Sequence, residues 1–259
     1  MRDRFKQSTS IWTRQGRSIG FVVLLCGALL SGCQTYLPDD LSNDPLQPVN
    51  RVVYGINRAF DKNVVLPVAW FYLVQTPRPI RSSIRNFLDN LSLPTTFAND
   101  LFQGEFGPAG TAFGRFAVNS TAGIGGAFDV ATDVGLPFHH SDFGETLSRF
   151  GVGEGPFLVL PILGPDNLRD FSGQIFDLSI DPFTYFPLHS TLSDAIYWNV
   201  SRGIVRTLDN RASSILLTEY LNGDASDEYV TMRSIYRQSR ANEINRRKPD
   251  PFEDLPPVP

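Results

Sequence analysis

After Cys33 the chain contains no further cysteine, and this limits what the following residues can fold into. No disulfide, thiolate zinc site or cysteine nucleophile is available to them, so the body holds by packing and hydrogen bonding alone. The residues in front of Cys33 explain its position. Met1 to Ser18 carries Arg2, Arg4, Lys6, Arg14 and Arg17 against the single Asp3, and is followed by the uncharged IGFVVLLCGALL of Ile19 to Leu30. A basic segment before 12 uncharged residues reads as a secretory leader. As a helix those residues cover about 18 Å, short of the roughly 30 Å hydrocarbon core, so they do not anchor the chain by spanning a bilayer.

Leu30-Ser31-Gly32-Cys33 resembles the lipobox of bacterial lipoproteins. That resemblance implies cleavage before Cys33, a covalent diacylglycerol on its thiol, an N-acyl chain on its freed amine, and no other cofactor. Gln34 stands where an Asp would favour retention in the inner membrane, which points to the outer membrane. The expected organisation is a leader at 1–32, a lipidated tether at 33–43, one domain at 44–247 and a disordered Pro-rich tail at 248–259. The chain has 23 basic and 27 acidic residues; five and one lie in the leader, leaving 18 against 26 and a net charge near −8. Such a body is not a general nucleic-acid binder.

Patterning across the domain is helical, with strand alternation scarce. Helices are expected at Val49 to Lys62, Pro79 to Leu91, Asp142 to Phe150 and Ser226 to Ile244. Pro108 is placed for a helix start, after which Ala109, Phe113, Phe116 and Ala117 share one face with Arg115 opposite. Ile196, Val200, Ile204 and Leu208 form a second stripe, with Arg202, Arg206 and Asp209 on its far side.

Two uncharged stretches depart from a plain soluble bundle: VVLPVAWFYLV at Val64 to Val74 and GPFLVLPILG at Gly155 to Gly164. Each runs about 10 residues, or about 15 Å as a helix, enough to enter one leaflet and not to cross two. Trp70, Phe71, Tyr72, Phe157, Leu158, Leu160, Ile162 and Leu163 are therefore the membrane-insertion candidates. Composition alone leaves a buried core open for both stretches, and lipidation at Cys33 favours membrane contact.

Several blocks are similar to the VacJ/MlaA family of outer-membrane lipoproteins: Asp44-Pro45-Leu46 with Asn50-Arg51, NFLDNLSLPTTFANDLFQG at Asn86 to Gly104, and RFAVNSTAGIGGAFDVA at Arg115 to Ala131. The most specific is DFGETLSRFGVGEGPFLVLPILGPDNLRD at Asp142 to Asp170. This resemblance implies an all-α fold: one ring-shaped helical domain with an amphipathic central channel, seated in one membrane leaflet on the periplasmic side of the outer membrane. It further implies a non-enzymatic role, removing misplaced phospholipids from the outer leaflet and handing them to a periplasmic carrier resembling MlaC, in complex with a trimeric outer-membrane porin. Phospholipid would be the transported ligand.

The glycines Gly123, Gly125 and Gly126, with Phe128 and Asp129, are lipid-channel candidates, although a sharp reversal or tight packing explains them more simply. Arg233, Arg237 and Arg240 share one side of the last expected helix and are candidates for phosphate or partner contact, against the simpler reading of a solvated face. A phospholipase finds no support, because G-x-S-x-G, Ser-x-x-Lys and H-E-x-x-H are all absent, and His139-His140 lack metal-ligand spacing. A passive, porin-associated adaptor remains the other non-enzymatic reading.

Overall fold

A computed structural model describes residues 44–184, 192–224 and 227–246. Cys33, the leader, the tether and the tail lie outside the described residues. Helix α1 (Gln47–Phe60) runs through a π-helical turn at Asp61–Val65 directly into α2 (Leu66–Gln75). The residues bounding that turn, Phe60 and Leu66, keep right-handed helical backbone, so the run is one helix with a wider turn in it. The apolar stretch from Val64 is thus the end of a long helix rather than a separate short one. Helix α3 (Arg78–Phe102) and α4 (Phe106–Thr121) follow, then the short α5 (Val130–Asp133) and α6 (Phe143–Arg149). A hairpin of β1 (Phe157–Leu160) and β2 (Gly164–Asn167) leads into α7 (Leu168–Ile180), a 3-10 turn at Pro182–Thr184, the long α8 (Leu192–Asp224) and α9 (Glu228–Arg246).

The molecule is mostly helical, but the hairpin corrects the all-α expectation. Phe157 pairs with Asn167 and Leu160 with Gly164 in antiparallel register, turning at Pro161 to Leu163. A strand with one neighbour leaves an open edge of N–H and C=O groups. Here α1 closes it with side-chain amides about two helical turns apart. Asn50 donates to the Phe157 carbonyl (2.9 Å) and accepts from the Val159 N–H (3.0 Å). Asn57 donates to the Leu160 carbonyl and accepts from the Ile162 N–H, both at 2.8 Å.

Expectation and outcome also differ at Pro94, which lies inside α3, where the sequence suggested an end at Leu91. A proline there forfeits the bond to the Asn90 carbonyl. The helix persists because Leu88, Leu91, Leu93, Thr96 and Asn99 on the same helix are all buried, so tertiary packing outweighs local propensity.

Apolar burial is confined to small clusters. Ala69, Ala212 and Ile215 join α2 to α8, and Phe157, Val159 and Tyr229 join the hairpin to α9. Among the described residues, buried polar and charged side chains outnumber buried apolar ones. The two expected apolar stripes show the inversion directly. Phe113 is 60% exposed while Arg115, on the opposite face of α4, is 2% exposed. On α8, Ile196, Val200 and Ile204 face outward and Asp209 is buried. Along α1 and α2 an apolar stripe of Val49, Val52, Ile56, Phe60, Val64, Val68 and Phe71 is exposed from end to end. No described helix is long and apolar enough to cross a membrane.

A polar interior makes stability depend on pH. Burial pushes Asp177 up to about 7 against hydrogen bonds from the Phe143 N–H and Asn99, and pushes Asp166 up to about 6. A carboxyl with a raised folded pKa holds its proton more tightly than the unfolded chain does, so stability falls as pH rises through the gap. Melting temperature is expected to drop between about pH 4 and about pH 7, with a shallower slope in Asp177→Asn. Equal slopes in both proteins would contradict the assignment.

Candidate functional site

The sequence from Asn119 onward ends α4 in a tight reversal. The Gly123 N–H bonds the Val118 carbonyl (3.2 Å), that of Gly125 the Ser120 carbonyl (3.1 Å), and that of Gly126 the Asn119 carbonyl (2.8 Å). Two glycines in the reversal are required by space. A Cβ on Gly123 would collide with the backbone carbonyls of Phe128 and Asn119, and one on Gly126 would lie 2.5 Å from Asn90 Cβ. Gly126 also has φ +94, whereas Gly125 at φ +69 has open space around it. Gly126→Ala is therefore expected to cost about 2–4 kcal/mol by backbone strain plus overpacking. Gly125→Asn should cost under about 1 kcal/mol, since Asn tolerates this backbone region. Urea melts of the two variants check the contrast.

The reversal brings Asp129 back against α4, where it caps α5 by accepting from the Thr132 N–H. Arg115 donates to Asp129 (2.7 Å) and to Thr132 (3.0 Å), and also bonds the Leu136 carbonyl. Asn119 donates to Asp129 (3.0 Å) and accepts from the Ala131 N–H (2.8 Å). Burial opposes charge on Asp129, but the bonds from Thr132, Asn119 and Arg115 outweigh it and hold the carboxyl below its usual range.

Between this network and α3 lies a cavity of about 190 Å³. Helix α3 lines it with Asn86, Asp89, Asn90 and Leu93, α4 with Arg115 and Asn119, and the following segment with Asp129 and Phe138. Asp89 is paired with Arg206 of α8 at 3.1 Å. Burial nonetheless raises its pKa, against the attraction of Arg206. Exposed Ile124, Phe128 and Phe138 stand around this region, so apolar surface adjoins a polar hollow.

A second charged cluster joins α6, α7 and α9. Arg240, 8% exposed, pairs with Asp142 (2.7 Å), Asp170 (2.8 Å), Glu145 (3.7 Å) and Glu243 (3.1 Å). Asp142 caps α6 and Asn167 caps α7. Those helices touch at Gly144 and Gly173, where a Cβ on Gly173 would overlap the Gly144 backbone. Arg233 pairs with buried Asp44 at 3.1 Å, and Asp44 also accepts from Tyr229.

The sequence candidates thus divide. Asp129 lines the cavity, Gly126 packs against the lining Asn90 and Gly123 against the lining Asn119, and Phe128, next to Asp129 in sequence, is exposed. Trp70 and Phe71 are exposed, whereas Tyr72 is half-buried and donates to Asp209 (3.2 Å). Ile162 and Leu163, 73% and 70% exposed, form the hairpin tip; Leu158 and Leu160 are half-buried. Phe157 is 1% exposed and packs with Tyr229 and Tyr236, so it belongs to the core and not to a lipid-facing surface. Arg233 and Arg240 spend their guanidinium groups on carboxylates of the protein itself, and Arg237 is half-buried between them. Among the described residues no group of His, Asp and Glu is arranged to hold a metal ion.

Arg115, Asn119, Asp89 and Asn90 were missed as site residues. For Arg115 and Asn119 a signal was available: Ala109, Ala112, Arg115 and Asn119 recur at helical spacing, a small-and-polar stripe opposite exposed Phe113.

The MlaA lipoprotein family profile matches residues 42–243. The intermembrane phospholipid transport system lipoprotein MlaA of Escherichia coli (strain K12) is 33% identical over 217 residues, covering 81% of this chain and 82% of that protein. An uncharacterized protein of Rickettsia bellii is 30% identical over 241 residues, covering 87% and 92%. A solved chain from work on the structural basis for maintenance of bacterial outer membrane lipid asymmetry matches with TM-score 0.67 and 31% identity, over 78% of this chain and 99% of that one.

Proposed function

This chain belongs to the MlaA lipoprotein family, and from that premise we propose that it takes mislocalised phospholipids from the outer leaflet and passes them to a soluble periplasmic carrier resembling MlaC. Membership makes it an intermembrane phospholipid transport lipoprotein that maintains outer-membrane lipid asymmetry, and not an enzyme. The finer reading has four parts: attachment through lipid on Cys33, a seat in the inner leaflet of the outer membrane, a polar channel through a ring of helices, and association with a trimeric porin.

The inverted burial is the observation that carries this reading. In water an exposed stripe from Val49 to Phe71 and a hairpin tip of Ile162 and Leu163 are costly; in one leaflet they are the favourable surface. Trp70 and Phe71 suit the interface at the end of that stripe. Moving a phospholipid also requires a polar route, because an unpaired head group in hydrocarbon is prohibitively costly. The cavity beside Gly126, Phe128 and Asp129 offers polar walls next to apolar surface. Nothing in the passage requires a bond to be made or broken.

Lipidated protein purified in mild detergent and analysed by mass spectrometry is expected to carry intact diacyl phospholipid. Fatty acid or lysophospholipid generated on incubation would point to hydrolysis, and absence of lipid to the adaptor.

A further inference from the structure

Resting on that transport reading, we propose that the cavity between α3 and α4 is a headgroup subsite selective for a primary ammonium on a phosphodiester, the headgroup of an ethanolamine phospholipid, over an uncharged polyol such as glycerol.

The lining charges argue for it. Arg115 and Asp129 face each other at 2.7 Å and cancel. Asp89 shares one carboxylate oxygen with Arg206 from outside the lining, and among the described residues no hydrogen bond engages the other. An ammonium entering here meets that oxygen in a partly desolvated hollow, where a charge-assisted hydrogen bond is stronger than one from a neutral hydroxyl. Beside Asp89, Asn90 is 3% exposed and its Oδ1 has no hydrogen-bond partner, while its amide nitrogen is held by Ser120 (3.0 Å). Buried carbonyl oxygens are rarely left unpaired, and Asn90 lines a cavity whose volume, about 190 Å³, far exceeds the roughly 10–15 Å³ a single water needs. A primary ammonium has three donors, enough for Asp89, Asn90 and one further acceptor; a hydroxyl has one.

Arg115 also keeps its Nε without a partner while its other nitrogens are occupied. It supplies the complementary donor for a phosphodiester oxygen on the opposite wall. Gly126 fixes the position of Asn90 by direct contact, so the reversal and the orphan carbonyl are one device.

The test compares lipid bound by the full lipidated protein after exchange with vesicles holding equal amounts of phosphatidylethanolamine and phosphatidylglycerol, read by mass spectrometry of intact lipid. The expected result is enrichment of the ethanolamine lipid by about three- to fivefold, the scale of one partly exposed ion pair, and its loss in Asp89→Asn. Asn86→Lys keeps a donor for the Ala127 carbonyl and is expected to reverse the preference, which covers the case in which Asp89→Asn fails to fold. Lipid bound in the vesicle ratio by wild type and both variants overturns the headgroup proposal and leaves phospholipid transport standing. Binding of free phosphoethanolamine with no intact lipid overturns it as well. No lipid bound at all sinks the transport reading itself.

Discussion

Arg240→Met is expected to lower unfolding free energy by about 3–5 kcal/mol, the cost of stripping the cation from buried carboxylates. The guanidinium bridges Asp142, the cap of α6, and Asp170, in the first turn of α7, so its loss loosens α6, α7 and α9 together. The pH response gives the sign. Burial raises Asp142 and Asp170, but Arg240 outweighs it and holds both carboxyls below the usual value of 3.8. In the wild type their contribution is present above that value and is lost as pH falls through the lower folded pKa. Without Arg240 burial alone acts, both pKa values rise, and the variant gains stability as pH falls, opposite to the wild-type contribution of these two groups. Arg240→Lys keeps the charge but not the fork and should lie between. Denaturant melts at two pH values decide it; a loss under about 0.5 kcal/mol would mean the cluster is a solvated surface after all.

Cys33→Ser is expected to release the protein from the outer-membrane fraction and to abolish its effect on lipid asymmetry, while the melting temperature of the body stays the same. A serine hydroxyl cannot take the place of the thiol as the group that is alkylated by the diacylglyceryl unit. Each acyl methylene contributes about 0.8 kcal/mol of membrane affinity, and one chain alone holds only marginally, so stable attachment requires the full set. An unchanged melting temperature distinguishes loss of the anchor from loss of the fold. Mass spectrometry of the native N-terminus and fractionation of the variant read the two halves. An unmodified Cys33, or full outer-membrane attachment of the Ser variant, contradicts the anchor.

Much of the fold was legible because helices signal through a 3.6-residue period wherever they lie, and α4, α6, α8 and α9 sit close to where that period places them. Which face of each turns inward was not legible. Periodicity reports that Phe113 and Arg115 are on opposite sides of α4 but carries no sign, and in this body, with Arg115 buried and Phe113 exposed, the sign is the reverse of the one water imposes. The hairpin was missed for another reason. FLVL is a short apolar run that fits strand or helix, and its pairing is settled by Asn50 and Asn57, about a hundred residues earlier. The block from Asp142 to Asp170 was recognised as the most specific part of the sequence, and its physical content is the Arg240 clamp with the Gly144 to Gly173 contact. Gly126 and Asp129 were readable as a reversal; that Asn90 and Asp89 complete a cavity there depends on tertiary packing alone.

Clearance of phospholipid from the outer face of the outer membrane is tested most directly by the amount of phospholipid that an added phospholipase cleaves on intact cells with the protein, without it, and with it restored. Low, raised and again low cleavage is the expected result; equal cleavage in all three would contradict clearance by this chain.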